Sequence, residues 1–224
     1  MVPKTVKTPP LQDALLEPWH FIETGRPDVA RVRLRRLVPD DRWSAQSAFL
    51  MGLTYHVEDR YGSALPWLER ACTSPEVYPP AEHFRGWALY WLGRPDDALN
   101  AFARHLELTP TEGDSHFGLA LIHLDAAHWD AAEHHLRRAM DLQQQRGDRQ
   151  DGVAKAKARM AEVVELRDSD LEQAQQLLAE ALALDGTMYE AGFKRARLLQ
   201  QLGRSDEANA QHADAVTARE VARQ

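Results

Sequence analysis

Apolar residues recur along this chain at spacings of three, four and 34, with polar residues between them. The short spacings put the apolar positions on one helical face, so the pattern predicts amphipathic helices rather than strands. The long spacing shows most clearly in one alanine of each unit. Ala30, Ala64, Ala98, Ala132, Ala174 and Ala208 follow one another at intervals of 34, 34, 34, 42 and 34. The interval of 42 reads as 34 plus an eight-residue insertion around 147–154. With that alanine set at repeat position 20, the blocks are 11–44, 45–78, 79–112, 113–146, 155–188 and 189–222. Position 8 holds Gly52, Gly86, Ala120 and Ala196, and position 24 holds Leu34, Leu68, Phe102, Leu136 and Leu178. Position 27 holds Ala71, Ala139, Ala181 and Ala215, with Leu37 and His105 departing. Small residues at positions 8 and 20 predict two helices that touch, and the Leu and Phe positions predict the filling between them.

Local chemistry places the turns. Leu92-Gly93-Arg94-Pro95-Asp96-Asp97-Ala98 and Leu202-Gly203-Arg204-Ser205-Asp206-Glu207-Ala208 are near copies, and Gly25 to Ala30 is a third. Gly93 and Gly203 sit where a helix end needs a left-handed residue. Pro27 and Pro95 then open the second helix, where a missing N–H costs nothing. Pro79-Pro80 and Pro110 separate one repeat from the next. Three places depart from the pattern. Pro18 falls inside the first expected helix and predicts a kink or a late start. Pro66 lies in a first turn that tolerates it. The fifth block fits better with its first helix shifted by one, which gives Met160, Ala161 and Val164 the core positions and puts the extra residue in Asp168-Ser169-Asp170.

This period and these residues resemble the tetratricopeptide repeat family. The resemblance implies an all-α, right-handed superhelical solenoid of about six helix–turn–helix repeats. It divides the chain into an N-terminal extension (1–10), four repeats (11–146), an insertion (147–154) and two repeats (155–224). The extension is read as disordered or folded back into the groove. The insertion is read either as a run-on of the preceding helix and a loop about Gly147 or as a hinge.

The resemblance also implies a concave groove lined by the first helix of each repeat at positions such as 2, 5, 9 and 12. Large apolar or aromatic groups occupy those positions in four successive repeats: Trp19, Phe49, Leu53, His83, Trp87, Tyr90, Phe117 and Leu121, with Trp91 one residue further on. In the last two repeats the equivalents include Glu162, Glu165 and Arg197. Members of the family that grip acidic chaperone tails carry Lys, Asn and Arg at positions such as 5, 9 and 6. Here those positions hold Phe49, Leu53, Phe84 and Gly118, which argues against that ligand. The ladder is open to two readings, a groove for a partner or contacts buried between neighbouring helices.

Composition narrows the classes further. Only two isoleucines stand against 28 leucines in 224 residues, which favours helix over sheet. No run approaches the roughly 18 apolar residues of a membrane span, and the N-terminus lacks the apolar core of a signal peptide. A cytoplasmic protein is expected. Cys72 is the only cysteine, so no internal disulfide or four-thiolate zinc site can form. A net charge of −7 argues against general nucleic-acid binding.

No phosphate loop, His-Glu-x-x-His, Gly-x-Ser-x-Gly or Cys-x-x-Cys is present. Five of the ten histidines, His116, His123, His128, His134 and His135, fall in the fourth block, yet no pair has the i,i+4 spacing that puts two rings on one metal. They read as packed or solvated side chains. Arg31, Arg33, Arg35 and Arg36 read as a solvated outer face, or as a patch for an acidic partner. The sequence therefore predicts no catalytic residue, metal or cofactor. It predicts a scaffold that takes an apolar or amphipathic segment of another protein or peptide, with a self-associating accessory subunit as the alternative.

Overall fold

The computed structural model describes residues 8–38, 42–147 and 150–223; the expectation for the extreme N-terminus (1–7) and for Asp148 and Arg149 of the insertion lies outside them. Among the described residues there are twelve α-helices, one π-helical turn and no strand. The fold is an all-α helical repeat. Two compact units divide it, residues 1–111 and 112–224.

The first unit holds three helix pairs: α1 (Asp13–Glu23) with α2 (Pro27–Leu37), α3 (Ala45–His56) with α4 (Tyr61–Cys72), and α5 (Pro80–Trp91) with α6 (Pro95–Leu108). The second holds α7 (Gly113–Asp125) with α8 (Trp129–Arg146), α9 (Gln150–Val163) with α10 (Leu171–Leu184), and α11 (Tyr189–Gln201) with α12 (Ser205–Val221). Within a unit the second helix of each pair packs on the first helix of the next.

One backbone device ends the first helix of every pair. Repeat position 15 is left-handed in all six: Gly25, Asp59, Gly93, Ala127, Ser169 and Gly203 have φ between 54° and 77°. The next N–H then reaches back five residues, Arg26 to the Phe21 carbonyl (2.7 Å), Arg60 to Tyr55 (3.0 Å), Arg94 to Leu89 (2.9 Å), His128 to His123 (2.8 Å) and Arg204 to Leu199 (2.9 Å). This satisfies carbonyls that the helix end would otherwise leave open, and it turns the chain back for the second helix.

The helix–helix contact is as tight as the small residues predict. All six position-20 alanines are buried, Ala208 being the most accessible at 5%. A Cβ on Gly52 would lie 2.8 Å from Leu68 Cγ, and one on Gly86 would lie 2.7 Å from Phe102 Cε1. Glycine at position 8 thus makes room for the large side chain at position 24.

Each irregularity has a local cause. α1 begins at Asp13 and runs through the buried Pro18 to Glu23. In the fifth pair Met160, Ala161 and Val164 are buried as the shifted register requires. The extra residue is taken up by the π-helical turn Val164–Asp168, ahead of the left-handed Ser169, and so sits earlier than Asp168–Asp170. A single-turn π bulge is the ordinary way for a helix to absorb one inserted residue. α8 runs on for 18 residues and stops at the left-handed Gly147.

The arginine run is not a uniform solvated face. Arg31 turns inward, donating to both carboxylate oxygens of Glu58 (2.9 Å each) and to the Thr54 carbonyl (3.1 Å), which ties α2 to the end of α3. Its guanidinium also lies over the Tyr55 ring. Arg35 and Arg36 are exposed.

Candidate partner-binding faces

In the first unit α5 supplies the densest set of aromatic positions. His83, Trp87 and Tyr90 follow at spacings of four and three, which puts them on one face. The Trp87 indole N–H donates to His83 Nε2 at 3.1 Å. The Trp87 ring stands edge-on to Phe102 at 5.3 Å and to Tyr90 at 6.0 Å. Because Phe102 is fully buried, one side of Trp87 rests on the core while the residue as a whole stays half-buried.

The ladder read from the sequence divides by depth. Phe49 (3% exposed) and Leu53 (4%) are buried in the first unit's core, with Tyr78 and Phe84 closing over Phe49 at 5.1 and 5.5 Å. Trp19, His83, Trp87 and Tyr90 are half-buried. Trp91 is 56% exposed, the most accessible aromatic side chain of the set. In the second unit Leu121 is buried, and Phe117 is half-buried against a core of Ala120, Leu136 and Met160.

Trp91 is held in place despite its exposure. Its ring stacks on Tyr61 at 6.1 Å with 16° between the planes, and Tyr90 meets it edge-on at 5.1 Å. Tyr61 donates its hydroxyl to Asp59 Oδ1 at 2.6 Å. Burial, and then that bond to a carboxylate, push the Tyr61 hydroxyl up to about 12. Beneath, His56 stands edge-on to both Tyr61 and Phe84 at 5.1 Å. Burial holds the His56 imidazole below its usual range, with the Asp59 carboxylate opposing the shift. Val57 (49% exposed) occupies the same repeat position as Trp91, and Leu92 (40%) follows Trp91.

Tyr61 was absent from the sequence ladder because it opens a second helix, and the ladder considered first helices only. An aromatic residue where two other repeats carry Pro27 and Pro95 was the available signal.

The corresponding face of the second unit is charged and internally neutralised. Glu162 is bonded to Arg159 (2.9 Å) and Lys194 (3.0 Å), and Glu165 to Arg197. Arg167, at the π-helical turn, binds Asp130, Glu133 and Asp168 together.

Among the described residues no group of three His, Cys, Asp or Glu side chains could hold a metal ion. Burial pushes the Cys72 thiol of α4 up to about 12, with the nearby Glu82 carboxylate adding to the shift, the direction opposite to that of an activated thiolate. No helix among the described residues is long and apolar enough to cross a membrane.

Comparison with known proteins places the fold. Residues 85–147 match the profile of the tetratricopeptide repeat, and the solved structures that follow share the helical-repeat fold of the chain. Cut9, in the Cut9–Hcn1 hetero-tetramer of the APC/C, superposes with a TM-score of 0.78 at 12% identity, over 92% of this chain and 39% of the other. PilF of Pseudomonas aeruginosa gives 0.73 at 17% identity, over 90% and 86% of the two chains. YrrB, described as a tetratricopeptide repeat protein with an unusual peptide-binding site, gives 0.61 at 17% identity, over 80% and 88%. No curated protein sequence matches this chain.

Proposed function

We propose that the chain is a non-catalytic interaction scaffold whose first unit takes an apolar or amphipathic segment of another protein. The observation that carries this reading is Trp91, a large aromatic side chain more than half exposed yet fixed by Tyr61 and Tyr90. Exposing so much apolar surface is unfavourable unless something covers it part of the time. A rigid aromatic ring also buries much area on binding at little cost in rotamer entropy, which is why such rings dominate binding hot spots. Tetratricopeptide repeats generally mediate protein interactions, and the peptide-binding site described for YrrB belongs to a protein of this fold. The partner's apolar side chains would meet Trp91, the accessible sides of Trp87 and Tyr90, and Val57.

The test is capture from source lysate by the wild-type chain and by Trp91→Ala, with thermal melts of both. A partner retained by the wild type and lost by the variant, at unchanged melting temperature, supports the reading. Equal capture by both removes Trp91 from it. Concentration-dependent light scattering of the pure chain separates self-association, the alternative, from a scaffold that stays monomeric without its partner.

A further inference from the structure

Three histidines replace ordinary packing residues at the seam between α7 and α8. His116 and His123, seven residues apart on α7, face His135 on α8. The Nδ1 atoms of His116 and His135 are 3.0 Å apart. His135 then stacks on His123, the planes 4° from parallel and the centroids 5.6 Å apart, and His128 follows His123 at 5.8 Å. Four imidazoles therefore run in sequence across the helix pair, and a fifth, His134, stands edge-on to His135 at 5.2 Å. The 3.0 Å contact is a hydrogen bond only while one Nδ1 carries a proton and the other does not. A second proton turns it into two N–H groups pointing at each other.

The charges that act most on the pair are cationic: Arg138 and His134 on His116, and His134 and His123 on His135. On α7, Asp114 accepts from Gln143 (2.9 Å), and Asp125 lies two residues beyond His123. On α8, Glu133 is held by Arg137 and Arg167, and Asp130 by Arg167. α9 contributes Ala156, Met160 and Val163 to the core beside this seam. Its charges are paired elsewhere, Lys155 with Asp151, Lys157 with Glu180, and Arg159 with Glu162.

We propose that the α7–α8 pair is an acid-sensitive joint, closed while the His116–His135 hydrogen bond holds and loosened when both rings are protonated. Burial first, then these cations, hold both imidazoles down to about 4, and His123 is lowered as well. The sign follows. In the unfolded chain a histidine takes up its proton near 6.5, and in this seam it does so only much lower. The joint is at full strength above about pH 6.5 and weakens steadily as the pH falls toward 4.

The test uses the full chain. Imidazole ¹H–¹⁵N spectra titrated from pH 8 to 4 should show His116 and His135 still neutral at pH 5.5. Amide protection over 113–146, corrected for intrinsic exchange, should fall about ten-fold or more between pH 7 and pH 5, with a smaller loss in α10. In His135→Gln, which can bond to His116 without gaining a proton and leaves one titrating ring of the pair, the fall should be at least about three-fold smaller than in the wild type. Ordinary titration of both rings overturns the proposal. So does protection unchanged at pH 5, or a variant that loses as much as the wild type. Should His135→Gln fail to fold, the titration and the wild-type exchange decide alone.

Discussion

Gly86 of α5 lies so close under the ring of Phe102 in α6 that a β-carbon there would stand 2.7 to 2.9 Å from three ring atoms. Phe102 has no exposed surface. Gly86→Ala should therefore destabilise the first unit by about 1–3 kcal/mol through overpacking. Gly62, in the first turn of α4, has nothing within 4 Å of its would-be β-carbon. Gly62→Ala should stabilise by roughly 0.5–1 kcal/mol through helix propensity. Urea titration of the two variants gives opposite signs, and equal signs would refute this account of position 8.

The left-handed turn makes a second prediction. Ala127 holds φ at 55° where Gly25, Gly93 and Gly203 sit near 70° or above. A β-carbon in that region costs roughly 1–2 kcal/mol. Ala127→Gly should raise stability by about 1 kcal/mol, and Gly93→Ala should lower it by a similar amount. Melting curves that move the other way would mean these turns are not under backbone strain.

Arg31 and its neighbours should behave unequally. Arg31 makes a two-pronged bond to Glu58 and a third to a backbone carbonyl, and only 13% of its side chain is exposed. Arg31→Ala should cost about 1–3 kcal/mol, mostly because it strands the partners. Arg36→Ala, at the exposed end of the run, should stay within about 0.5 kcal/mol of wild type. Chemical denaturation of each variant measures the contrast.

The single thiol offers a check on packing. With its proton held to about 12, Cys72 should react slowly with iodoacetamide at pH 8 in the native chain and at an ordinary rate in urea. Fast labelling without denaturant would mean that α4 opens readily or that the thiol is not packed against Glu82.

The repeat period, the close-contact alanines and glycines and the turn glycines were all legible in the sequence, because each reflects a constraint that recurs every 34 residues. Depth was not. Phe49 and Trp91 share a helix type and an aromatic character, but Tyr78 and Phe84 close over one while Tyr61 supports the other from beneath. Those neighbours come from different helices, and helical periodicity fixes a direction without fixing what lies along it. The run of imidazoles was hidden for the same reason: spacing within α7 or α8 shows no pair, and the short contact appears only across the seam. Arg31 read as solvated because the carboxylate that draws it inward, Glu58, is 27 residues away. The fifth repeat announced its extra residue through its shifted core positions, but the π-helical turn that absorbs it has no composition of its own.

The central claim, that the exposed aromatic face of the first unit is a binding surface and not simply core, is tested most directly by comparing Trp91→Ala with Phe49→Ala in partner affinity and thermal stability. Trp91→Ala should weaken binding by about 2 kcal/mol or more, roughly thirty-fold, with the melting temperature nearly unchanged. Phe49→Ala should cost about 3–5 kcal/mol of stability and lose binding only as the protein unfolds. A Trp91→Ala chain that binds like wild type, or that melts as low as Phe49→Ala, would contradict the account.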